Sequence, residues 1–337
     1  MKKLTLLLSL IFVFACFSGC SSSNAVTITF VQEGNYQPVI RVVEKGKKLS
    51  VLDFPELVQD DENFIYYWEY FENKNLTEDF VVNSKKYTKG LVFELGGEGY
   101  HLSKYVGSYA YVIVPDYYNG LPVVGINASA FDEDSLTEYK NGVWVDKYSE
   151  KYNLTGNRTR FVEWPSTIQK VGASTFYENR LLQEFVVPDG IEELPWGVFF
   201  RCHSLKKVTL PQGLKKMGGS VLTETQITSL VIPDGTVELD ALAISYNPLL
   251  EYVVMPKSIN KMGAHAICYY TSGHVKTKIY YKGTHDDWMF IEIDRTPFSG
   301  TTDVMSSEEY VYFYSEIEPT ESGNYWHYVD GEPKIWA

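Results

Sequence analysis

A proline returns along this chain at nearly fixed intervals, as Pro165, Pro188, Pro211, Pro233 and Pro256, with spacings of 23, 23, 22 and 23 residues. A period in the twenties marks a solenoid, in which each repeat is too small to bury its own apolar side and does so only by stacking on its neighbours. With each proline set as zero, the residue three on is Ile168, Ile191, Leu214, Thr236 or Ile259, and six on it is Val171, Leu194, Met217, Leu239 or Met262. Eleven on it is Phe176, Phe199, Leu222, Ile244 or Ile267. Fourteen of these fifteen positions are apolar in a chain that is 45% hydrophobic, a concentration that chance rarely produces, so the stack is predicted to share one continuous core.

A short apolar run precedes each of the last four prolines, at 182–187, 205–210, 227–232 and 250–255, and reads as a strand. Proline carries no ladder donor, so it ends the strand and starts the return path in every coil. The residues two before each proline, Glu163, Val186, Thr209, Val231 and Val254, are expected to alternate outward and to form a mostly β-branched strip on successive rungs. Two readings of that strip stay open: β-branched residues simply suit a pleated surface, or the strip is a shallow docking face for a partner. A first coil is expected over 109–131. The polar stretch 132–160 then reads as a loop inserted in one repeat, which costs a solenoid little.

Several phrases accompany the period: Tyr118-Asn119-Gly120-Leu121-Pro122-Val123, Ala173-Ser174-Thr175-Phe176 and Phe200-Arg201-Cys202-His203-Ser204-Leu205. Over residues 100–290 the pattern resembles the BspA-like leucine-rich repeats of bacterial surface antigens, and Ile279-Tyr280-Tyr281-Lys282-Gly283-Thr284 with Trp288 is similar to the tail such arrays carry. The resemblance implies surface display and the binding of an extracellular protein or glycan, in adhesion or host interaction. A structural envelope spacer or assembly element is the alternative. From 291 to 337 the composition turns aromatic, as expected of a C-terminal cap over the last rung, or of an aromatic ligand platform.

The chain opens with Lys2 and Lys3, an apolar run to Phe17, then Ser18-Gly19-Cys20. Residues 1–19 read as a targeting segment, too short for a membrane span of roughly 20 apolar residues. Phe17-Ser18-Gly19-Cys20 resembles the lipobox of bacterial lipoproteins, which implies cleavage before Cys20, acylation of its thiol, and attachment to the cell envelope through that lipid alone, with the rest of the chain displayed at the surface. Val13-Phe14-Ala15-Cys16 is a poorer box, and an ordinary secretory signal is the other reading. Residues 20–24 would be a flexible tether.

Residues 25–95 lack the repeat and read as a small β module, with strands at 26–30 and 39–43, a turn at Lys45-Gly46-Lys47, and Gly96-Gly97-Glu98-Gly99 as the boundary that follows. The order of opening strand, turn, Pro55 and the cluster Phe64-Ile65-Tyr66-Tyr67-Trp68 resembles the internalin B-repeat, which implies a β-grasp-like fold. The fold expected for the whole is therefore mainly β: this module, then a leucine-rich-repeat solenoid of parallel rungs joined by short helical or irregular return segments.

The formal net charge is −13, and loss of Lys2 and Lys3 with a cleaved leader takes it to −15. Such a balance repels phosphate backbones and anionic lipid, which argues against nucleic acid as a partner. Beyond the leader, only Cys202 and Cys268 remain. Three rungs of roughly 4.8 Å separate them, beyond the roughly 7 Å reach of a disulfide, so both are expected to be buried and unpaired. His265 and Cys268 share a coil but fall two ligands short of a structural zinc. No metal or cofactor is implied. No nucleophile elbow, metalloprotease motif, Cys-x-x-Cys or phosphate loop occurs, and no acid pair is picked out by spacing, so the chain reads as a binding protein and not as an enzyme.

Overall fold

The structure is a computed structural model, and it describes residues 24–49, 53–69, 76–132, 137–140, 143–146, 159–270, 277–296, 301–303 and 308–336. The expected signal, and with it Cys20, lies outside the described residues. The chain divides into two units, one of residues up to Leu57 with Trp68–Lys85, the other of Val58–Tyr67 with Lys86–Ala337.

The first unit is built on the strand Ala25–Val31, whose apolar residues alternate inward. It pairs antiparallel with Val39–Glu44, and parallel with the start of Phe80–Thr88, Ile28 opposite Phe80. Val26, Ile28, Phe30, Leu76 and Val82 are buried together, and Phe54 and Trp68 meet Phe30 edge-on at 5.4 and 5.3 Å. Asn24, assigned to the tether, is instead tied to this unit, because its carbonyl accepts from Lys45 N–H at 2.8 Å.

The boundary expected at Gly96–Gly99 is a hairpin turn. Gly96 N–H donates to Gly99 O at 2.8 Å, joining Leu91–Leu95 to Tyr100–Tyr105. Both strands belong to the second unit, since Tyr100–Tyr105 pairs parallel with Leu121–Ile126 of the first coil. Gly99 lies so close to Pro122 O that a Cβ there would stand 2.3 Å from it. These glycines serve a tight turn and a close approach, not a linker.

From there the coils stack. The expected strands are present but shorter, as Glu184–Val186, Lys207–Thr209, Ser229–Val231 and Tyr252–Met255. The stack begins with Tyr111–Ile113 pairing parallel with Phe161–Glu163, so the first coil rests directly on the proline-bearing coils despite the insertion. The described part of that insertion is not a bare loop: Thr137–Lys140 and Val143–Asp146 form an antiparallel hairpin. At the far end Lys278–Tyr281 and Val311–Tyr314 continue the same parallel ladder.

The return segments hold more order than expected. Six residues past each proline a two-residue parallel strand recurs: Lys170–Val171 pairs with Leu121–Ile126, and Glu193–Leu194, Lys216–Met217, Glu238–Leu239 and Lys261–Met262 pair in succession as a second ladder that ends on Glu292–Ile293. Beyond it the chain turns through a left-handed residue nine past each proline, Ser174, Gly197, Ser220, Leu242 and His265, with φ from 53° to 66°. Only one of the five is glycine, although the left-handed region costs other residues roughly 1–2 kcal/mol. The reversal aims N–H groups along the stack: Ser174 N–H donates to Trp196 O, Phe199 N–H to Val221 O, and Leu242 N–H to Ala264 O, at 2.9–3.0 Å. Each such bond contributes about 1 kcal/mol net. Among the described residues, the one α-helix in these segments is His285–Met289. A capping box between Thr284 and Asp287 starts it. The Thr284 N–H, then Lys257, hold the Asp287 carboxyl down to about 2.

The core runs unbroken from Leu102 to Phe313. Fourteen of the fifteen repeat positions are buried, and Val171 is half-buried. Phe131, Phe176 and Phe199 stack on successive coils at 4.9 and 5.5 Å, within 20° of parallel. Thr236, the polar exception, is buried with its hydroxyl donating to Leu214 O at 2.9 Å one coil earlier. Buried Cys202 donates to Phe176 O at 3.0 Å, and the side chain of Cys268 lies outside the described residues.

Candidate functional site

The strip inferred from the sequence divides. Glu163, Val186, Thr209 and Val231 face solvent on the front of the ladder, Val186 opposite Thr209 across one rung pair, with Val186 64% and Val231 55% exposed. Glu163 accepts from the Tyr111 hydroxyl at 2.9 Å, and that bond raises the Tyr111 pKa. Val254 is a correction: it stands directly opposite Val231 on the next rung, yet is 1% exposed.

Its cover comes from the C-terminal hairpin, Tyr325–Val329 with Glu332–Ile335. Val254, Tyr280 and Trp326 form one buried cluster on the outer side of the sheet, with Tyr252, Tyr312 and Tyr314 packed around it. Trp326 Nε1 donates to Tyr281 O at 2.8 Å, and Tyr252 bonds Glu332 at 3.5 Å. Trp336 stacks on His327 at 3.7 Å and donates to Ser315 O at 2.9 Å, which pins the hairpin's end. The aromatic segment therefore serves both sides of the last rungs: Val311 and Phe313 fill the interior, while Trp326 closes the front.

A second surface feature escaped the sequence reading. Eight residues past each proline the chain carries Ala173, Trp196, Gly219, Ala241 and Ala264. Four small residues and one tryptophan is a break in the repeat that the periodicity itself could have exposed. Trp196 is 50% exposed, stacks within 25° of Tyr177 at 6.4 Å, and lies 5.9 Å from Phe200. Its indole reaches over Gly219 of the next coil, where a Cβ would come within 3.1 Å of it. Beside the rings, Arg201 stands 5.0 Å over Phe200 and bridges Glu178 at 3.0 Å and Glu224 at 3.3 Å. Glu178, then Glu224, raise the Arg201 pKa.

The two-residue strands of the return segments carry alternating charges at one position, Lys170, Glu193, Lys216, Glu238, Lys261 and then Glu292. Glu238 sits between Lys261 at 3.1 Å and Lys216 at 3.3 Å, and these ammonium groups, Lys261 foremost, hold its carboxyl below the ordinary value. This face pairs charge with charge, whereas the front and the Trp196 turn expose apolar side chains, Val186, Val231 and Trp196.

Among the described residues no group of three or more His, Cys, Asp and Glu could hold a metal ion. His265 is buried with Nε2 2.9 Å from Thr296 O. No helix among the described residues is long and apolar enough to cross a membrane.

Residues 149–274 match, in six copies, the family model of the BspA type leucine rich repeat region. Among solved structures the chain is similar to a leucine rich repeat protein of T. pallidum, at 22% identity and a TM-score of 0.43, covering 51% of this chain and 72% of that one. It is similar also to a leucine-rich repeat protein from Bacteroides ovatus, at 20% identity and a TM-score of 0.46, covering 57% of this chain and 46% of the other. A leucine rich cell surface protein from Faecalibacterium prausnitzii is a third, at 12% identity and a TM-score of 0.21, covering 63% and 97%. No curated protein matches the chain.

Proposed function

We propose that this chain is a bacterial envelope protein, anchored through a lipid on Cys20, whose solenoid binds an extracellular protein or glycan on its front face. The match of residues 149–274 to a repeat family supports the binding role over an enzymatic one. One observation carries the choice of face. Val186 and Val231 are largely exposed on rungs whose stability comes from the opposite side of the same strands, so the core does not require apolar residues there. On the adjacent rung the equivalent apolar position is buried by an aromatic hairpin, an intramolecular example of what this surface accepts.

The test has two arms. Metabolic labelling with a fatty-acid analogue should mark the parent chain and not Cys20→Ala; equal labelling of both removes the anchor. Photo-crosslinkers placed at Val186 and Val231 on intact cells should capture a defined extracellular partner that the double variant Val186→Asp/Val231→Asp no longer binds when both are purified. Unchanged binding by that variant removes the front face from the proposal.

A further inference from the structure

We infer that the turn bearing Trp196 is a separate binding site, for the pyranose rings of a neutral glycan. The inference rests on the surface-binding reading above and names a ligand class for a face other than the ladder front.

The other four coils carry a small residue at this position, Ala173, Gly219, Ala241 and Ala264, and Trp196 is half-exposed and outside the buried core, so no coil's interior depends on its indole. It is nonetheless held in place, stacked on Tyr177 and seated over Gly219. A rigid exposed ring loses little rotamer freedom when a ligand covers it. Three half-covered aromatics offer a few hundred Å² at most, since each can bury roughly 150–250 Å² in full. A stable protein interface takes roughly 800 Å² per partner, whereas one or two sugar rings fit.

Charge narrows the ligand further. The flat, electron-rich ring faces attract the partly positive axial C–H groups of a pyranose, as their quadrupole attracts other positive edges. The polar groups beside them are matched in charge: Arg201 bridges Glu178 and Glu224, and Arg180 bridges Glu178 at 3.6 Å, two guanidinium groups against two carboxylates. Together they present carboxylate acceptors and guanidinium donors to hydroxyls but no free charge to an ionic ligand. The net charge of the chain further disfavours sulfated or sialylated sugars.

The test uses the full-length chain in a detergent without a sugar headgroup, titrated calorimetrically with tetramers of β-linked glucose and of N-acetylglucosamine. One of these should bind, and Trp196→Ala should weaken it at least tenfold. Because alanine is what three other coils carry there, this variant should keep the parent's circular dichroism and melting temperature. Tyr177→Ala should weaken binding about threefold, and Ile317→Asp, at an exposed residue that belongs to neither proposed face, should leave it unchanged. Absence of binding to either tetramer, equal binding by a folded Trp196→Ala, or a preference for their sulfated forms would overturn the inference. The probes are defined sugars on purified protein, so failure here leaves the front-face proposal standing, and failure of the front-face variants leaves this one standing.

Discussion

Val231 and Val254 occupy the same position in consecutive repeats, face each other across one rung pair, and are 55% and 1% exposed. Nothing in the repeat distinguishes them. The difference arises from a hairpin that lies some seventy residues further along the chain and folds over one and not the other. In a solenoid the repeat decides which residues point inward, but what becomes of an outward residue depends on where the non-repeating ends of the chain return.

The comparison is broken most severely by removing the cover. Trp326 is wholly buried, and its truncation in Trp326→Ala should cost about 3–5 kcal/mol, the range for a large buried aromatic. Urea unfolding measures this, and Val254→Cys in the same background should become reactive to a thiol reagent while remaining protected in the parent. A Trp326→Ala protein with the parent's midpoint, or with position 254 still protected, would mean that something else buries Val254.

The matched pair Val254→Asp and Val231→Asp comes next. A charge placed in the Val254 cluster has no partner, and should cost about 3 kcal/mol or more, whereas the same change at exposed Val231 should stay within about 0.5 kcal/mol. If the hairpin alone makes the difference, Val254→Asp should cost far less in the Trp326→Ala background, a coupling that a double-mutant cycle reads directly. Equal costs at the two valines would show that the rungs, and not the hairpin, set their environments.

The interior was legible from the sequence because it is repeated. Fifteen positions fixed by five prolines located the core from Ile168 to Ile267, and Thr236 broke the pattern without breaking the core, since its hydroxyl found the carbonyl of Leu214. What was not legible depends on contacts between distant segments or on backbone geometry without a residue signature. The cover over Val254 is of the first kind. The stacked turns are of the second, because Ser174, Ser220, Leu242 and His265 adopt a conformation usually flagged by glycine. The Gly96–Gly99 turn misled in the opposite direction: consecutive glycines there close a hairpin. Trp196 was visible all along as one large residue in a column of small ones.

The second ladder offers the smallest effect and a contrast in how the two faces are protected. Where the front relies on coverage at one end, the second ladder relies on charge, with Glu238 flanked by Lys216 and Lys261. The folded carboxyl titrates below its unfolded value, so the stabilisation is complete above roughly pH 4.3 and is lost as pH falls through the lowered folded value. Glu238→Gln should therefore cost about 0.5 kcal/mol at neutral pH and low salt, less in high salt, and should flatten the acid side of the stability profile. An unchanged acid limb in Glu238→Gln would mean that the flanking ammonium groups do not stabilise the folded carboxylate, and that this face, whose strands are paired on both sides, is held by its backbone ladder alone.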